Sequence, residues 1–195
     1  MNRPNRTLSR RALLGAGLAS LAAPLAAQTL PPIAIERPAG RDVPRNTMSF
    51  KAQDWRPHFG SLRRGAILVD IDSRILHMWE ENGAYHLYPS SVPMSEDMTR
   101  RGRTSVTRMV VGPGWTPTPN MRRRDPSLPA HIPPGPNNPL GTHAMHLGWK
   151  YYRIHGTHDP RKIGRRASSG CIGLYNEHIA EVFSMARVGT QVLLI

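Results

Sequence analysis

The chain has 195 residues and a formal charge of +13, with 26 Lys and Arg against 13 Asp and Glu, 19 prolines and one cysteine. A single cysteine excludes an intramolecular disulfide framework, and no apolar run is long enough to span a bilayer. The length fits one domain with a sizeable core.

Residues 1–27 read as an export signal of the twin-arginine type. Ser9-Arg10-Arg11-Ala12-Leu13-Leu14 precedes an apolar run from Ala12 to Ala23, and Leu25-Ala26-Ala27 offers a small-residue cleavage site. Cleavage removes Arg3, Arg6, Arg10 and Arg11, which leaves about 168 residues with a charge of about +9. Nucleic acid is the usual partner of such a charge. An exported chain rarely meets it, so the expected partner is anionic cell-envelope material in the periplasm, with no nucleic acid and no membrane span.

Residues 28–60 are rich in Pro and Arg without apolar periodicity and read as an extended leader. Residues 61–195 form the expected domain. Ala66–Ile71, Arg74–Trp79 and Tyr85–Tyr88 are short apolar runs divided by Asp72-Ser73 and Glu81-Asn82-Gly83-Ala84, the pattern of an antiparallel meander. Val106–Val111 is a further strand. Gly112–Asn138 is a proline-rich loop, of a length that is usually functional or disordered. Strands resume over Thr142–Leu147 and Tyr151–Ile154. A helix capped by Asn176 runs to about Arg187, with Ile179, Val182, Phe183 and Ala186 on its apolar face. Gln191–Ile195 closes the domain as a strand. Three arginine-rich runs, Arg100–Arg103, Arg122–Arg124 and Arg161–Arg166, read as solvated loops.

The chemistry points to Cys171, which stands in Ser168-Ser169-Gly170-Cys171-Ile172-Gly173, sixteen residues after His155. A free cysteine is most often a buried inert thiol. Here the small residues before it suit a tight turn that presents the side chain and bares backbone N–H groups. A histidine in the same local fold could supply the base that a thiol nucleophile needs.

His155-Gly156-Thr157 and Ser168-Ser169-Gly170-Cys171-Ile172 resemble the signature of L,D-transpeptidases of the YkuD type. Trp115-Thr116-Pro117-Thr118-Pro119, Asn138-Pro139-Leu140-Gly141, Ile163-Gly164 and Val188-Gly189-Thr190-Gln191-Val192 are similar to recurring stretches of that family. The resemblance implies a mostly β, sandwich-like domain of mixed strands, with one helix following the cysteine and a long Pro-rich loop. It also implies acyl transfer on peptidoglycan tetrapeptide stems through a cysteine thioester, with no cofactor or metal. The acceptor would be a second stem, giving 3–3 cross-links, or an envelope protein amine. Carried over, Cys171 is the nucleophile, His155 the base and the Gly156 carbonyl the group orienting the imidazole. Ser168, Ser169 and Gly170 would shape the oxyanion site.

Two positions depart from the family pattern. Ser169 stands where His is usual, and Gly173 where Arg or Asn is usual. The expectation is that Arg165 and Arg166 replace the missing contact to substrate carboxylates. Other readings remain open at this point. They are hydrolysis of the same stems as a carboxypeptidase or amidase, a non-catalytic wall-binding module, and a zinc site built from His143, His146, His155, His158 and Cys171. Against zinc, His143 and His146 on one regular strand face opposite sides of a sheet.

Overall fold

A computed structural model describes residues 52–195. The export signal and most of the leader expected over residues 1–51 lie outside the described residues. The end of the leader is already part of the folded unit. A turn over Trp55–Phe59 buries Phe59 with Leu62, Ala66, Leu68 and Trp79 on one face of the sheet.

The architecture is mostly β, as expected. Strands β1 (Ala66–Asp70), β2 (Ile75–Trp79) and β3 (Tyr85–Pro89) form the meander. β1 and β2 are buried almost throughout on both faces, which explains why their runs are apolar apart from Asp70 at the end of β1 and His77 within β2. The Asp70 side chain accepts the N–H groups of Asp72 and Ser73 to close the first turn, and Asn82 does the same for Ala84 in the second.

A short β4 (Val92–Pro93) leads to the long β5 (Gly102–Val111). β5 starts four residues before the expected strand, so Gly102 and Arg103, read as solvated loop, lie in the sheet. They pair with the last strand, β10 (Gln191–Leu194). Then come β6 (His143–Leu147), β7 (Arg153–His155), β8 (Arg166–Ser168) and β9 (Ile172–Gly173). The main sheet runs β3-β2-β1-β10-β5-β6-β7-β9, with parallel pairs at β1–β10 and β7–β9; β4 and β8 form a two-stranded parallel sheet.

The proline-rich segment is not structureless. Trp115 and Ile132 exchange backbone hydrogen bonds at its base, and the Asn138 amide donates to the carbonyls of Ile132 and Pro133. Within it lies α1 (Pro119–Arg124), capped by the Thr118 hydroxyl, which accepts from Met121 N–H; Pro119 opens the helix, where its missing donor costs nothing. Nothing in the apolar pattern marks this helix, because it buries none of its residues. The second helix, α2 (Asn176–Met185), buries Ile179 and Val182 and packs on β6 and β7.

His77 is wholly buried in β2, with Nδ1 on the Tyr85 hydroxyl at 2.7 Å and Nε2 without a partner. Burial lowers its pKa to about 4, against an opposing pull from Asp70. The folded state therefore binds fewer protons here than the unfolded chain between pH 6.5 and 4. The stabilisation is complete above pH 6.5 and is lost as pH falls through that window, by roughly 3 kcal/mol in total. Urea midpoints measured from pH 7 to pH 4 should fall accordingly, and His77→Leu should flatten the decline.

Candidate active site

Parallel pairing of β7 with β9 brings the two halves of the sequence motif together. Ile154 pairs with Ile172 and His155 with Gly173, and Leu174 N–H donates to the His155 carbonyl at 2.8 Å. Cys171 directly precedes β9, so it emerges beside the strand that carries His155. Both line one cleft of about 870 Å³, together with Ser168, Ser169 and Gly170. The proline-rich segment forms an opposite wall through Trp115, Thr116, Thr118, Met121 and Arg124.

The turn before the cysteine is held by its own residues. Gly170 has φ +125°, a conformation that L side chains rarely adopt, and this reverses the chain just before Cys171. Ser168 Oγ donates to the Cys171 carbonyl at 2.5 Å and accepts from Gly170 N–H at 3.3 Å. Among the described residues, no hydrogen bond occupies the N–H groups of Ser169 and Cys171. They are the free donors of the turn.

His155 Nδ1–H donates to the Gly156 carbonyl at 2.5 Å, which leaves Nε2 as the free acceptor. Burial lowers the imidazole pKa to about 4; the Gly156 bond works the other way, and Arg153 and Lys162 add to the lowering. Burial also raises the Cys171 thiol, against a downward pull from the Arg153 guanidinium and backbone N–H. The thiol donates to the Tyr151 carbonyl at 3.3 Å. Both shifts favour the uncharged forms, a thiol beside a neutral imidazole.

Several contributors were not evident in the sequence. Asn176, expected as a helix cap, is the first residue of α2 and caps nothing. Tyr175 holds the cap position, and the Asn176 side chain accepts the N–H groups of Thr142 and Thr157, each at 3.2 Å. It ties the loop carrying Gly156 to the loop entering β6. Tyr151 and Tyr152, expected in a strand, lie in the turn before β7, and Tyr151 has φ +67°. The spacing of Arg153 and His155 on one strand puts both on one face. That signal was available in the sequence.

The expected substitutes for the missing family side chain lie elsewhere. Arg165 is exposed, and Arg166 is held by Glu96 at 3.0 Å and Asp72 at 2.9 Å. Neither lines the cleft. Gly173 leaves no open space either. It is buried, it exchanges backbone hydrogen bonds with Ser91, and a Cβ built on it would overlap Ser91 Oγ. Gly173→Arg should therefore cost about 1–3 kcal/mol through overpacking, without a gain in turnover. Thermal melts should show the loss, and adding Ser91→Gly should recover part of it.

His143 Nδ1 bonds the Thr142 hydroxyl and its ring lies against Phe183 of α2, 4.8 Å between centroids. No three His, Cys, Asp or Glu side chains among the described residues form a metal-holding group.

The family model described as "L,D-transpeptidase catalytic domain" (YkuD) matches residues 64–194. A Fuscovulum blasticum protein named as an L,D-transpeptidase, ORF 5 of the ATP synthase subunits region, is 50% identical over 97% of this chain and 98% of its own length. The Escherichia coli K12 protein ErfK/SrfK, also named as an L,D-transpeptidase, is 36% identical over 69% of this chain, which spans only 45% of that relative. Among solved structures, the L,D-transpeptidase of Enterococcus faecium superposes with a TM-score of 0.54 at 18% identity, over 68% of this chain and 50% of that one. One from Mycobacterium smegmatis gives 0.53 at 19%, over 68% and 58%.

Proposed function

As the chain belongs to the YkuD family of L,D-transpeptidase catalytic domains, we propose that it transfers acyl groups between peptidoglycan stem peptides through a thioester on Cys171. The observation that carries this reading is the shared cleft. In it stand a single thiol and an imidazole whose Nδ1–H is fixed on the Gly156 carbonyl, beside a turn with free N–H groups.

In the first step, His155 Nε2 takes the thiol proton as Sγ attacks the carbonyl of the third stem residue. The developing oxyanion meets the N–H groups of Ser169 and Cys171, a type of contact in which one donor is worth about 3 kcal/mol. Collapse breaks the C–N bond, and the imidazolium returns its proton to the departing D-alanine amine. In the second step, the neutral imidazole takes a proton from the acceptor amine as it attacks the thioester. The new amide forms, and Sγ leaves as a thiolate that recovers the proton. The thioester conserves the energy of the cleaved amide, so no ATP is consumed. Because the uncharged forms are favoured, proton transfer accompanies attack, as in general base catalysis.

We place the reaction in the periplasm, on the strength of the twin-arginine pattern, the small-residue cleavage site and the basic mature chain. Among the described residues, no helix is long and apolar enough to cross a membrane.

Incubation of the purified protein with tetrapeptide muropeptides, followed by mass spectrometry, tests the reading. Release of D-alanine with 3–3 dimers is the expected result. Tripeptide alone would make water the acceptor; in a parallel incubation with added envelope proteins, one of them joined to the third stem residue would make a protein amine the acceptor. Unchanged substrate without an adduct on Cys171 would make the domain a binding module.

A further inference from the structure

We infer that Arg153 forms an anion-binding subsite beside the Cys171 thiol and receives the terminal carboxylate of the donor peptide, an assignment that rests on the function proposed above. Arg153 opens β7, two residues before His155, and lines the same cleft as His155 and Cys171. Its Nε is sealed from water with no hydrogen-bond partner, and no acidic side chain among the described residues pairs with the guanidinium. Arg153 is only half-buried, so its guanidinium, which has no acidic partner, can offer its terminal N–H groups to an entering carboxylate.

Position matches the chemistry. Sγ attacks the carbonyl one residue before the peptide's end, and consecutive Cα atoms lie about 3.8 Å apart. A cation adjacent to Sγ is therefore within reach of the terminal carboxylate, and a guanidinium can take it with two parallel hydrogen bonds. Arg153 is also the cation felt by both reacting groups, pulling the thiol and the imidazole down together.

Two other cleft cations, Lys162 and Arg124, also lack an acidic partner among the described residues, but only Arg153 acts on the thiol as well as on the imidazole. The remaining cations near the cleft are engaged. Arg166 is bound by Glu96 and Asp72, Arg100 lies over the Trp149 ring, and Lys150 lies over the Tyr151 ring. The position two residues after the cysteine carries no side chain, and its space is filled by Ser91. Arg153 approaches the cleft floor from the neighbouring strand, which provides a cation without needing that position.

Two measurements separate this subsite from the proposed reaction. The first reads Cys171 alone: the rate of alkylation by iodoacetate, an anion, divided by that by neutral iodoacetamide. Arg153→Met should lower this ratio about tenfold or more, the scale of a lost hydrogen bond between charged groups. Arg153→Lys should keep part of it, and Arg108→Gln, an exposed charge control, should match wild type. The second compares a tetrapeptide ending in free D-alanine with its C-terminal amide. Wild type should favour the acid, and Arg153→Met should lose that preference mainly through the acid's kcat/KM. An unchanged alkylation ratio together with unchanged acid–amide preference would overturn the subsite. If wild type turns over neither peptide and Arg153→Met still lowers the alkylation ratio, the subsite stands and the transpeptidase reading is rejected. Thermal melts confirm that each variant is folded.

Discussion

Cys171→Ala should leave a folded protein that releases no D-alanine and forms no covalent acyl adduct. The expected loss is at least about 10⁴-fold, in line with removal of the nucleophile from other acyl-transfer sites. The fold should survive because the side chain is half-buried and its hydrogen bond is a single one, to the Tyr151 carbonyl. The turn itself is held by Ser168 and Gly170. Cys171→Ser should behave alike, since an alkoxide is far harder to form than a thiolate at neutral pH. Intact-protein mass spectrometry with a tetrapeptide donor reads the adduct, and thermal melts read the fold. Turnover by folded Cys171→Ala would remove the thioester from the mechanism.

His155→Ala should lower kcat by roughly 10²–10⁴-fold at neutral pH, the range for a positioned acid–base group. The pH profile of the wild type carries the sharper information. The base must be neutral to accept the thiol proton, and burial lowers the His155 pKa to about 4. The neutral form therefore persists well below pH 6.5. The acidic limb of kcat/KM should have its midpoint near pH 4, not near the usual histidine value. A midpoint near 6.5 would show that the base is solvated in the free enzyme, and the profile of His155→Ala would then tell whether that base is His155 or another histidine. The same shift makes His155 a second contributor to acid lability. Its stabilisation, like that of His77, is present above pH 6.5 and is lost towards pH 4.

The parts legible in the sequence were those with a local signal. The apolar runs of β1 and β2, broken in β2 only by His77, and the turn residues between them needed no tertiary information. Cys171 and His155 stood out as a candidate pair because their neighbours are unusual, and the parallel pairing of β7 with β9 explains why two segments sixteen residues apart line one cleft. What escaped was set by partners distant in sequence. β9 has only two residues and exists through its pairing with β7. Asn176 looks like a cap, but its amide oxygen is claimed by two loops that only the folded chain brings near. The cationic loop before Cys171 looks available for substrate, yet acids at Asp72 and Glu96 engage Arg166. A charge run reveals its sign from sequence but not its partners.

The position of β10 has a consequence for biosynthesis. This strand lies between β1 and β5, and it alone connects the meander hydrogen-bonded to β1 with the strands that lead to the cleft. Thr190, at its edge, donates from its hydroxyl to the carbonyl of Arg64, 126 residues earlier. A nascent chain can build hairpins on each side, but the sheet cannot close until Gln191–Leu194 has left the ribosomal tunnel. Closure depends on contacts of very high sequence separation, which favours slow folding. Until then, both edges that receive β10 are open to mispairing and to chaperones. A stop codon a few residues before Gln191 would yield a chain that contains the whole motif yet does not complete its sheet.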